Sequence, residues 1–212
     1  MNTEIREQEI SKVFEGLSGS QVRACVARLS VLYEDLRIET SGMYGESLPH
    51  FDVNGKVYRR LYFLRRAILS ACEFAEALRL LDECPDFKSV KARLAPELSA
   101  RWDQGVYVYS QHEPFLKKVR NDIGGHFGHA AAKYAIENLV PTTIGRIRIE
   151  KKEKTIHLYF AEEIAATAMK RNLSSEDAEF SQLSSTAVAC FKAATECVHC
   201  IVISELWERF HR

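Results

Sequence analysis

The chain has 212 residues, 46% of them hydrophobic and 27% charged, with Lys plus Arg equal to Asp plus Glu at 29 each. That composition is ordinary for a globular protein able to bury a core, and it excludes a nucleic-acid grip made by an overall basic field, so any such binding has to be local. No apolar run approaches the roughly 18 residues of a membrane-spanning helix, and the charged start MNTEIREQEI lacks the apolar stretch of a signal peptide, so no membrane partner and a cytoplasmic location are expected.

A first short helix is expected over 3–17. A second follows over 21–40, where Val22, Cys25, Val26, Leu29, Leu32 and Leu36 fall at three- and four-residue steps. Gly42, Gly45, Ser47 and Pro49 break this pattern and predict a loop over 42–53. From about Asn54, the positions Val57, Leu61, Leu64, Ile68, Ala71, Ala75 and Leu78 alternate steps of four and three, which predicts a long bundle helix stopped by Pro85. A short connecting helix over 86–94 and a longer one over 96–118 come next, with Pro114 predicting a kink or a fresh start.

Past His126, the alanine-rich stretch 130–139 predicts a helix that Pro141 ends. The period then changes: Ile147 and Ile149 alternate on one run, Ile156, Leu158 and Phe160 on another, with a polar turn at 151–154 between them, which predicts a two-stranded hairpin. An isolated hairpin is marginal in water, so its apolar face needs the helices or a second chain, making it a candidate dimer element. Helix resumes over 161–171, and a long last helix over 175–210 lines up Leu183, Ala187, Cys190, Ala194, Cys197 and Ile201, small residues that imply close packing. The cysteines sit in these apolar-periodic segments, with Cys84 at a helix end, which points to reduced, buried thiols. No repeat or linker divides the chain. The expected fold is mainly all-α: a single domain over 1–212, a helical bundle of four to five main helices with one β-hairpin insertion near 144–160.

Reactive side chains concentrate in one place, Lys117-Lys118-Val119-Arg120-Asn121-Asp122-Ile123-Gly124-Gly125-His126-Phe127-Gly128-His129. Cleaving RNA without a metal takes a base for the 2′-hydroxyl proton, a fixed cation for charge on the phosphorane, and a donor for a phosphate oxygen; His126, Arg120 and Asn121 can supply these in that order. Histidine gains and loses protons near neutral pH, and the arginine fork matches two phosphate oxygens at once. Six steps of about 100° put Arg120 and His126 on different faces of an unbroken helix. A fresh helix start at Asn121, a favoured N-cap residue, would let Arg120 swing back over the helix N-terminus. Asp122, His126 and His129 would then share one face continuing to Lys133, with Asp122 and His129 supporting the imidazole and Lys117, Lys118 and Lys133 binding phosphate.

The Arg-Asn, four-residue spacer, His and following aromatic resemble the signature of HEPN domains. The resemblance implies a helical bundle that forms a homodimer, bringing two copies of the motif into one cleft. It also implies a metal-independent endoribonuclease of the toxin–antitoxin or phage-defence type leaving 2′,3′-cyclic phosphate ends, acting on RNA rather than DNA, with an antitoxin partner and no cofactor. The pattern departs from the family in the Gly124-Gly125 spacer and in the hairpin, which lies outside the minimal bundle.

Two other readings stand beside it. A non-catalytic HEPN-like scaffold, dimerisation or RNA-binding module fits the zero net charge and the hairpin. Metal binding draws on His126-Phe-Gly-His129 and Cys197-Val-His-Cys200, but the single Cys-x-x-Cys lies on a helical stripe that already accounts for it, so no metal is expected.

Overall fold

The computed structural model describes residues 14, 17, 19–44, 55–121, 127–145, 147–150, 155–158, 160–171 and 176–201. The chain is mainly α-helical. In order, the elements are α1 (Ser20–Tyr44), α2 (Gly55–Glu83), α3 (Pro85–Lys91), α4 (Pro96–Val119), α5 (His129–Asn138), β1 (Ile147–Glu150), β2 (Thr155–Leu158), α6 (Phe160–Lys170) and α7 (Glu176–Ile201). The expected first helix apart from residues 14 and 17, the loop from residue 45, the turn at 151–154 and the last helix beyond 201 lie outside the described residues.

Two expectations need correction. Helix α1 runs through Gly42 to Tyr44, because this glycine serves packing and does not end the helix: a Cβ on it would stand 2.7 Å from ring atoms of Phe63. Pro114 starts no new helix but lies inside α4, which simply forgoes the proline's missing N–H bond to the carbonyl one turn back. As expected, α2 stops before Pro85, which itself opens α3. Cys84 before it is extended (φ −68°, ψ 125°), as a residue preceding proline prefers, and proline suits a first helical position.

The chain falls into two compact units, the first made of Met1–Glu34, Glu73–Gln111 and Ala189–Arg212, the second of Asp35–Cys72 and His112–Val188. The first unit is built on large aromatics. Trp102 is fully buried, its ring centroid 4.7 Å from that of Phe87, and its indole N–H donates to Asp82 Oδ1 at 2.8 Å. Phe74 stacks on Tyr109 at 5.3 Å, and the Tyr109 hydroxyl donates to the Cys190 carbonyl at 3.0 Å. Burying such rings dominates a small core, and each polar end has a partner. Lys91 bridges Asp82 and Asp103 at 3.1 and 2.6 Å, and Arg28 reaches Glu73 and Glu76 at 2.5 and 3.0 Å. In the same unit, a Cβ on Gly105 of α4 would run into Cys197 Sγ.

The second unit has a different interior. Among the described residues, its buried apolar side chains include no aromatic ring and are mostly aliphatic, many of them alanine, such as Ala67, Ala131, Ala135, Ala165, Ala168 and Ala187. Helix α5 packs against α6, each presenting alanines to the core, and small side chains let helix backbones approach closely. The strands pair antiparallel, Ile147 opposite Leu158 and Ile149 opposite Ile156. Ile147 and Leu158 are exposed.

Candidate functional site

The sequence-predicted residues all fall in the second unit. Helix α4 delivers its last turn, with Lys117 and Lys118 exposed and Val119 buried, and the chain then widens into a π turn holding Arg120 and Asn121. Such turns interrupt the regular ladder and are frequent at functional sites. Arg120 is half-buried and Asn121 exposed. Asp122 and His126 lie outside the described residues, and the chain resumes at Phe127, half-buried, before His129 begins α5.

The proposed helix start at Asn121 is therefore corrected. Among the described residues, the next helix starts at His129 with Gly128 as its N-cap, extended at φ −67° and ψ 152°, its carbonyl accepting the Ala132 N–H at 3.0 Å. Asn121 lies instead in the π turn that continues from α4. The asparagine's capping tendency was a local preference, and the continuing turn of α4 overrode it. His129 and Lys133 share a face of α5, four residues apart and both exposed. Lys117 and Lys133 each pair within their own helix, with Glu113 at 2.6 Å and Glu137 at 3.7 Å. Exposed pairs of this kind hold their charges weakly and leave them open to exchange.

Two features of the unit had no place in the sequence reading. Arg65 of α2 lies with its guanidinium 5.6 Å from the centroid of the Phe127 ring, a cation–π contact on the residue bonded to His126. Burial lowers the pKa of Arg65, opposed by the neighbouring Tyr58 and Tyr62. The sequence signal for it is KVYRRLYFLRR (56–66), where cations and aromatics interleave along an apolar-periodic helix.

The other feature is a buried carboxylate. Glu39 is 6% exposed; Arg66 Nε donates to its Oε1 at 3.2 Å, while its Oε2 and the Thr40 hydroxyl have no hydrogen-bond partner. Burial raises the Glu39 pKa, against the opposing pull of the Ser70 hydroxyl and of Arg66.

The paired-cysteine alternative meets a different chemistry. Cys197 is fully buried and its thiol is pushed up well above the usual range by desolvation, and Cys200 Sγ donates to the Leu98 carbonyl at 3.2 Å. These are packed thiols rather than thiolates, the form that binds metal. Among the described residues, no three or more His, Cys, Asp or Glu side chains are grouped to hold a metal ion, and no helix is long and apolar enough to cross a membrane. Neither family models, nor curated proteins, nor solved structures yield a match to this chain.

Proposed function

We propose that the protein is a HEPN-type, metal-independent endoribonuclease, with the 144–160 hairpin as an insertion on its helical domain. One observation carries the reading: the Arg-Asn pair of the motif stands in a π turn at the end of a long helix, with Arg120 half-buried, where a side chain is both held and reachable. In this reaction His126 takes the proton of a ribose 2′-hydroxyl, whose oxygen bonds to the adjacent phosphorus. The bond to the 5′-oxygen breaks, and the imidazolium returns the proton to that leaving oxygen, so a 2′,3′-cyclic phosphate and a 5′-hydroxyl result. Arg120 neutralises the charge that builds on the non-bridging oxygens and Asn121 donates a hydrogen bond to one of them. Asp122 and His129 orient the imidazole, and Lys117, Lys118 and Lys133 hold flanking phosphates.

A non-catalytic dimerisation module is the second reading. It is favoured by the exposed cross-strand partners Ile147 and Leu158, with Ile144 exposed nearby in sequence.

Incubating the protein with RNA in the presence of a chelator separates them. Cleavage to cyclic phosphate ends is expected, with a loss of at least about a hundredfold in Arg120→Ala and in His126→Ala while circular dichroism stays unchanged. No cleavage, or equal cleavage by both variants, would leave the module reading in place.

A further inference from the structure

The first half of α2 carries a pattern that the Arg120 to His126 segment does not use. Between residues 55 and 72 the chain holds Lys56, Arg59, Arg60, Arg65 and Arg66 and no acidic residue, in a protein whose charges balance overall; Arg59 is buried and Arg66 donates to Glu39, while Arg60 is exposed and Arg65 half-buried. Tyr58, Tyr62 and Arg65 recur at steps of four and three, which aligns them on one face of the helix. Tyr62 is 49% exposed, its ring meeting that of Phe63 in a T-shaped contact at 5.4 Å, and Tyr58 and Arg65 are half-buried. The stripe ends on the motif itself, since the Arg65 guanidinium covers the ring of Phe127.

Unpaired RNA asks for this combination: aromatic faces on which splayed bases stack, and fixed positive charge for the phosphates between them. A duplex, with its bases already stacked on each other, has little use for an exposed tyrosine ring. A protein partner would have to bring its own acidic residues to so one-sided a stretch of charge, whereas a phosphate backbone brings them by its nature.

We propose that the Tyr58, Tyr62 and Arg65 face of α2 is a single-stranded RNA subsite, leading the nucleotides beside the scissile bond toward the Arg120 to His126 segment. This rests on the nuclease reading above and adds to it where the strand lies. Tyr62 stacks on a base. Arg65, held in place by Phe127, contacts the neighbouring phosphate.

The test is fluorescence anisotropy with a labelled 2′-O-methyl oligouridine of about twelve nucleotides, which binds as a single strand and has no free 2′-hydroxyl to react. Tyr62→Ala is expected to weaken binding about tenfold and Tyr62→Phe to keep it, since stacking needs the ring and not the hydroxyl. Arg65→Gln is expected to flatten the slope of log affinity against log salt by about 0.7, the loss of one phosphate contact. A duplex of equal length should bind more weakly. Unchanged affinity in Tyr62→Ala, or tighter binding of the duplex, overturns the subsite; should Arg65→Gln fail to fold, the exposed Tyr62 still decides. Cleavage assays on unmodified RNA keep the two ideas apart. Binding that depends on Tyr62 with no cleavage sinks the nuclease alone, and cleavage indifferent to Tyr62 sinks the subsite alone.

Discussion

The two compact units bury different things. Among the described residues, every buried polar or charged side chain, Glu39, Thr40, Arg59, Ser70 and Thr186, belongs to the second unit, and the buried rings of Phe74, Phe87, Trp102 and Tyr109 belong to the first. A core of aromatics with their polar ends satisfied is built for cohesion. A core of alanines that also hides a carboxylate gives up stability, because desolvating a charge costs more than its neighbours return. The unit that carries the Arg120 to His126 segment is the one that accepts this cost, which is where physical reasoning expects chemistry to be housed.

That contrast can be broken by experiment. The largest effect should come from the first unit: Trp102→Ala removes its biggest fully buried side chain and leaves Asp82 without the indole donor, so urea unfolding should show a loss of about 3–5 kcal/mol. A loss below about 1 kcal/mol would mean that cohesion lies elsewhere. Next is Gly105→Ala, whose new methyl group meets Cys197 Sγ; about 1–3 kcal/mol should be lost. Adding Cys197→Ala should then cost less than the two single losses together, since the smaller side chain makes the room, and strict additivity would show that the two positions do not touch.

The smallest effect, and the sharpest, belongs to the second unit. Because burial raises the Glu39 pKa in the folded protein, the favourable neutral form is present at low pH and its stability is lost as pH rises through the folded value. Glu39→Gln keeps the shape without the charge. It should be more stable than the natural protein by about 1 kcal/mol near pH 8, with the gap closing as pH falls toward the ordinary glutamate range. Thermal melts at a series of pH values read this directly, and a variant less stable at every pH would show that the ion pair with Arg66 outweighs desolvation.

Much of the helical layout was legible because it rests on local rules. The alternating steps from Leu61 to Leu78 mark the buried face of α2, and Pro85 marks its end. What misled was punctuation whose meaning depends on tertiary neighbours. Gly42 looks like a breaker until Phe63 is seen against it, and Asn121 looks like a cap until α4 is seen to carry on through a π turn. Burial of Glu39 and Arg59 was beyond reach for the same reason, since both lie in segments whose neighbours in space come from elsewhere in the chain. For the candidate site, residue types were readable and placement was not. Arg65 could not be linked to Phe127 by spacing, as 62 positions separate them in sequence.

All six cysteines are free and buried. A thiol-reactive reagent reaches them only when the surrounding helices part, so each alkylation records one opening event. Five of these natural clocks tick in the aromatic unit and one, Cys72, in the other, which lets the breathing of each be timed without adding a label.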